Sequence, residues 1–230
     1  MENDLVKMKL IFEEVYNKGI WKTKNIKSFS GKGSEITNCK NFIKFLNKFI
    51  KDNQINSLYD FGCGDCEGIK ELDFKNINYY GCDISNKAIN LAKKNLFNKE
   101  NVEFFENNNL EIKGNYDLLL VKHVFGHWLN VKDNGLKGLN CKSDHLITTF
   151  LDKNIHKFKY IIINDHIDDR IIKFFPDNFN FKKLVFNSYN NKFNSLYIYS
   201  SDNNNSNMIK KFNEIYELDF LLFNYQLKTN

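Results

Sequence analysis

Leu58-Tyr59-Asp60-Phe61-Gly62-Cys63-Gly64-Asp65-Cys66-Glu67-Gly68 is the stretch on which the reading of this sequence turns. Three glycines, two cysteines and two aspartates follow an apolar start, a costly composition for plain scaffold. A nucleotide-binding turn, a Cys-x-x-Cys metal or redox site and an ordinary loop all fit it. The elements on either side choose among them.

From residue 57 onward, short apolar runs alternate with helical or polar stretches. Residues 57–61, 79–84, 102–105, 116–121 and 160–164 read as strands. Helices fit at 67–72, 85–97 and 143–156, with Ser85 and Ser143 as N-caps. Strand alternating with helix predicts an α/β, Rossmann-like, doubly wound sheet covered on both faces. After Pro176, residues 181–186 and 195–199 read as an antiparallel hairpin, which makes a mixed sheet of seven strands. Residues 203–207 are a polar linker, and 208–226 are apolar enough for a final helix, or a helix with a short extended tail.

Ahead of the glycine turn, Leu5, Met8, Phe12 and Val15 recur at helical spacing and Gly19 stops the run. Phe42, Phe45, Leu46, Phe49 and Ile50 give a second amphipathic helix. Between them lie Trp21 and the loop Ser28-Phe29-Ser30-Gly31-Lys32-Gly33-Ser34. The expected organisation is one domain over residues 1–230: an N-terminal helical cover (1–56), a core (57–200) and a C-terminal linker and helix (201–230).

The 230 residues suffice for one substantial core, and 42% hydrophobic with 15% aromatic residues excludes wholesale disorder. No apolar run approaches the ~20 residues of a membrane span, and the first residues lack a secretory pattern, so a cytoplasmic protein is expected. The net charge of +5 is scattered among interleaved acids and makes no phosphate stripe, so nucleic acid is not indicated. Five cysteines without dense, regular spacing are expected to be reduced thiols.

The acids narrow what the glycine turn holds. Gly62 and Gly64 let the backbone bend and approach a ligand closely. Asp83 ends the second strand, nineteen residues past Gly64, where a carboxylate accepts hydrogen bonds from ribose hydroxyls. Asp60, two residues before Gly62, would repel a pyrophosphate. A ligand with a ribose, a cationic amine and a sulfonium suits the turn better than a dinucleotide.

Here the chain resembles the class I S-adenosylmethionine-dependent methyltransferases. Asp60, Gly62 and Gly64 match the family's acid-x-Gly-x-Gly pattern, and Cys66 replaces its third glycine. The resemblance implies S-adenosylmethionine as cofactor and S-adenosylhomocysteine as product. It makes Asp83 the ribose acid, puts Ile84 against adenine, and gives Asn107 or Asn108 the adenine amine. A narrower resemblance is to a methyltransferase subgroup with a Ser-Gly-x-Gly-Ser loop (Ser30 to Ser34), a Gly-Cys-Gly-Asp turn and a Lys-Asp-Val-Leu-Gln-His-Trp segment. The last is Lys122-His123-Val124-Phe125-Gly126-His127-Trp128 here, with His123 and Gly126 as departures. Trp21, Ser30, Gly31, Gly33, Ser34, Cys63 and Lys122 thereby join the cofactor set, the amides of Gly31 and Gly33 meeting a carboxylate.

Methyl transfer from a sulfonium asks for alignment and exclusion of water, and an aliphatic hydroxyl acceptor also needs a base. His123 and His127 follow the fourth strand; Asp165 and His166 follow the fifth. These four are the candidate catalytic residues, with no dedicated metal spacing among them. The expected acceptor is a hydroxyl on a small molecule, a sugar or nucleotide sugar. An RNA methyltransferase and a catalytically inactive binding scaffold are the alternatives.

Overall fold

The computed structural model describes residues 2–125, 144–166, 173–175, 181–187, 193–200 and 220–224. Two compact units divide the chain, Met1–Glu111 and Ile112–Asn230.

The first unit opens with helix α1 (Glu2–Lys18) and helix α2 (Ile36–Asp52), joined by a loop with one 3-10 turn at Lys32–Ser34. Cys39, Phe42, Ile43, Phe45, Leu46, Phe49 and Ile50 put a continuous apolar stripe of α2 in the core. Strands β1 (Ser57–Phe61), β2 (Asn78–Asp83) and β3 (Val102–Glu106) follow, with helix α3 (Asn86–Asn95) between the last two. They lie in the order β3-β2-β1, all parallel, with Asp60 opposite Gly81 and Asp83 opposite Glu106. β1 is buried from Leu58 to Phe61, as a parallel strand covered on both faces must be. Ser85 caps α3 as expected, its hydroxyl accepting from the Ala88 amide at 3.2 Å.

Three polar contacts spaced along α1 attach it to its own unit. Lys9 pairs with Glu106 at the end of β3. Glu13 accepts from the Asn86 amide, the first of α3, at 2.5 Å. Tyr16 shares a hydrogen bond of 2.9 Å with Ser30 in the connecting loop. Val6 and Leu10 of the same helix are exposed.

The second unit contains β4 (Tyr116–Lys122), helix α4 (Asp144–Asn154), a 3-10 turn at Ile155–Lys157, β5 (Phe158–His166), β6 (Phe181–Asn187), β7 (Phe193–Ser200) and β8 (Phe220–Asn224). Their order is β4-β5-β7-β6-β8. β4 and β5 are parallel, and β7, β6 and β8 each run antiparallel to the strand before them in that order. Leu118 to Val121 and Ile161 to Ile163 are fully buried. The Asn154 side chain closes the end of α4, accepting from the Ile112 amide at 2.8 Å and donating to the Phe150 carbonyl at 2.7 Å.

The structure corrects three expectations. Among the described residues there are eight strands, not seven. The extra one, β8, occupies part of the expected final helix, because the short run Phe220-Leu221-Leu222-Phe223 suits either period and pairing with β6 decides it. Residues 67–72 form only a 3-10 turn at Glu67–Ile69, which Cys66 enters in the left-handed region. Gly68 in that turn lies so close to α2 that an added Cβ would stand 2.6 Å from Cys39 Sγ. Ser143, expected to cap α4, lies outside the described residues. Among the described residues no helix is long and apolar enough to cross a membrane.

Candidate cofactor site

The chain leaves β1 through Gly62 (φ 76°) and Gly64 (φ 60°). The Gly62 and Cys63 amides both donate to the Cys82 carbonyl at 2.9 Å, which pins the turn to the end of β2. One residue on, Asp83 accepts from the Gly64 amide at 3.0 Å and from the Ser85 amide at 2.9 Å. The acid expected to hold the ribose therefore also clamps the turn. The carboxylate accepts from these amides and keeps a lone pair for a hydroxyl donor.

Burial pushes the Asp83 carboxyl up to about 6, against the amides of Ser85, Gly64 and Ile84, which pull it down. Because its proton stays on to a higher pH than in an ordinary aspartate, Asp83 adds stability below its ordinary value of 3.8, and that contribution is lost as pH rises through about 6. Ribose binding runs the other way, since two hydroxyl donors prefer the carboxylate. Cofactor affinity is expected to fall about tenfold between pH 7 and pH 5, and Asp83→Asn to flatten that profile. Calorimetric titration across that range checks it, and a flat wild-type profile removes Asp83 from the ribose role.

A second acid, Asp65 of the Gly-Cys-Gly-Asp turn, which carries no role in the sequence reading, organises the loop over the turn. It is 1% exposed. Its carboxylate accepts from the Ser28 hydroxyl at 3.0 and 3.1 Å, the Phe29 amide at 2.5 Å, the Ser30 amide at 3.3 Å and the Ser30 hydroxyl at 2.9 Å. Its own amide donates back to Ser30 Oγ at 2.9 Å. Tyr16, also missed, completes the cover: an added Cβ on Gly64 would lie 2.9 Å from its hydroxyl and 2.3 Å from Ser30 Oγ. Its position one helical turn after Phe12 was the available signal.

The rest of the expected loop is arranged differently from expectation. The Gly31 amide donates to the Ser28 carbonyl at 3.3 Å, so it serves the loop itself, and not a ligand carboxylate. Ser34 closes the same turn onto the Gly31 carbonyl at 3.0 Å, and the Gly33 carbonyl accepts from Cys39 Sγ at 3.3 Å. Trp21 is half-buried, edge-on to Phe12 and Tyr16 with ring centroids 5.9 and 6.4 Å away. An added Cβ on Gly31 would stand 3.3 Å from Trp21 Cβ.

At the end of β3, the Asn107 side chain is spent on its own turn. It accepts from the Asn109 and Leu110 amides at 3.2 and 3.0 Å and donates to the Glu111 carbonyl at 3.3 Å. Asn108 is exposed, and Ile84 is half-exposed after β2. Asp60 is buried and accepts from the Tyr79 hydroxyl at 2.7 Å.

The thiol pair reads as structural. Burial pushes Cys63 well above and Cys66 above the ordinary thiol range, so both stay protonated at neutral pH. Among the described residues no group of three His, Cys, Asp or Glu side chains is arranged for a metal ion.

In the second unit, β4 ends at Lys122, paired with Asn164 of β5. His123 follows in the left-handed region (φ 57°), its amide donating to the Asn164 carbonyl at 2.8 Å. Asp165 and His166 continue β5 as its last two positions, opposite Ser195 and Asn194 of β7. The strand ends thus bring His123 beside the Asn164–His166 segment in backbone register. His127, Gly126 and Trp128 lie outside the described residues.

Comparison with known proteins bears on what this arrangement is. No curated protein matches the sequence. Residues 59–142 match the family profile described as a methyltransferase domain. Among solved structures, magnesium protoporphyrin IX methyltransferase (ChlM) from Synechocystis PCC 6803 with bound SAH is similar at 12% identity and TM-score 0.60, covering 86% of this chain and 100% of that one. Its structure with bound SAM is similar at 14% identity and TM-score 0.59, covering 86% and 97%. The methyltransferase domain of bacterial CtHen1 is similar at 12% identity and TM-score 0.53, covering 71% and 99%. WbdD is similar at 15% identity and TM-score 0.53, and the match spans 80% of this chain but only 47% of WbdD. At such identities the structures establish the fold, and the profile match falls on the glycine turn and the β2 acid. That turn and that acid thus lie in a stretch similar to a methyltransferase domain, on a fold shared with methyltransferases whose structures hold SAM or SAH.

Proposed function

We propose that the chain, working as one domain, transfers a methyl group to a hydroxyl of a small molecule, a sugar or nucleotide sugar, with His123 as the base. The left-handed conformation of His123 directly after β4 carries this reading. A non-glycine residue held there costs of order 1–3 kcal/mol and such outliers gather where a side chain has work to do. Bound S-adenosylmethionine supplies a methyl on a positively charged sulfur. The chain supplies the rest: Asp83 for the ribose hydroxyls, Asp60 for the cationic end, Ile84 and Asn108 for adenine, and the loop over Gly64 to keep water out. Asp165 and His166, next in sequence on the neighbouring strand end, take the role of setting the imidazole tautomer or sharing the proton in this reading. Lys122 and His127 extend the same segment.

The test is transfer of a labelled methyl from S-adenosylmethionine to a panel of nucleotide sugars and free sugars, with short RNAs alongside. Label in the sugar arm, held as a methyl ether on what was a hydroxyl oxygen, supports the proposal. Label in RNA alone favours the alternative to which the +5 charge lends some weight. Cofactor binding without transfer to any acceptor marks a scaffold. In the active arm, His123→Asn keeps a residue that tolerates the left-handed region but removes the base. The rate constant is expected to fall about 10²–10⁴-fold with cofactor affinity unchanged. A wild-type rate would place the base elsewhere.

A further inference from the structure

Tyr79 has no part in the site as drawn so far, and its surroundings are unlike those of an ordinary core tyrosine. Its side chain is fully buried on β2, edge-on to Phe74 and Phe104 with ring centroids at 5.5 and 5.9 Å. Its hydroxyl reaches across to β1 and donates to Asp60 Oδ2 at 2.7 Å. Cys66 Sγ stands 3.5 Å from the same hydroxyl.

A phenol has one proton, and a carboxylate can only accept. The Tyr79 proton therefore goes to Asp60, and the Cys66 thiol, which also has the Cys63 carbonyl in reach at 3.7 Å, lies against the Tyr79 oxygen. Burial first, and the Asp60 charge second, push the Tyr79 hydroxyl well above its ordinary range, so it stays a donor at any working pH. Cys66 stands in a left-handed position that glycine fills without strain. Its sulfur lies against the Tyr79 oxygen beneath the turn.

A lysine or arginine at position 79 would hold Asp60 equally firmly but cancel its charge. A tyrosine fixes the carboxylate plane and leaves the negative charge intact for a cationic ligand group. We infer that Tyr79 is a positioning residue which, through Asp60, holds a carboxylate in place for the ammonium of the cofactor's amino-acid end. The inference rests on the methyltransferase reading above.

The test compares two ligands by calorimetry. S-adenosylhomocysteine carries the ammonium; 5′-methylthioadenosine keeps adenine and ribose but lacks the amino acid. Tyr79→Phe retains the ring and its packing. It is expected to weaken S-adenosylhomocysteine binding about tenfold and leave 5′-methylthioadenosine binding unchanged. Asp60→Asn should show the same selectivity, and the double variant no loss beyond that of Asp60→Asn alone. Equal loss for both ligands in Tyr79→Phe means a merely structural tyrosine and overturns the inference, as does no loss for either. If Tyr79→Phe melts too low to titrate, Asp60→Asn decides: without selective loss of S-adenosylhomocysteine, there is no ammonium contact to position. A wild-type chain that binds neither ligand overturns the methyltransferase reading instead, and the inference with it.

Discussion

Gly64→Ala is expected to abolish measurable cofactor binding and to lower stability by about 2–4 kcal/mol, the sum of a left-handed alanine and an overpacked contact. The added methyl would stand 2.3 Å from Ser30 Oγ and 2.9 Å from the Tyr16 hydroxyl. Neither neighbour can swing aside cheaply. Ser30 Oγ is held by the Asp65 carboxylate and by the Asp65 amide, each at 2.9 Å, and Tyr16 is buried beneath it. The methyl must push the whole loop off the turn, or move the Gly64 amide that clamps Asp83. Thermal melting and titration with S-adenosylhomocysteine measure the two effects separately. A variant that melts and binds like the wild type would mean that the loop does not close over Gly64.

Asp65→Ala is expected to be the more damaging change to the fold, by about 3 kcal/mol or more, since a single truncation strands several buried donors at once. The Ser28 hydroxyl and the Phe29 amide both point at this carboxylate. Water reaching them requires the loop to open, so proteolysis between residues 19 and 35 should speed up together with the loss of cofactor affinity. Asp65→Asn keeps the volume and one acceptor oxygen and should fall between the two. An Asp65→Ala protein with wild-type melting and wild-type protease resistance would show that the loop is held by its rings, Trp21 and Phe29, and not by this acid.

The elements nearest the turn were legible because their chemistry is local. β1, β2 and β4 read as apolar runs, since a parallel strand is buried on both faces, and Ser85 announced the start of α3 by its own side chain. Asp60, Gly62, Gly64 and Asp83 fall within one strand–turn–strand span, so spacing alone gave them their places. Asp65 was illegible for the opposite reason. Its partner Ser28 lies 37 residues upstream, and nothing within either segment shows that they meet. Tyr79 likewise reads as one more aromatic in a strand until the register of β1 and β2 brings it within reach of Asp60. Asn107 misled because an amide suited to adenine is equally suited to bonding its own backbone two or three residues on, and the local bond won.

The contacts of α1 limit how its sequence can drift. Lys9, Glu13 and Tyr16 recur at intervals of four and three, one edge of a helix, and each engages a different partner: the end of β3, the start of α3 and the loop. Inserting or deleting one residue between Lys9 and Tyr16 would rotate one end of that edge by about 100° relative to the other and break the set, whatever residue was involved. Val6 and Leu10 are exposed and make none of these three contacts. Along this helix a lineage can change its exposed letters, but it cannot change their number.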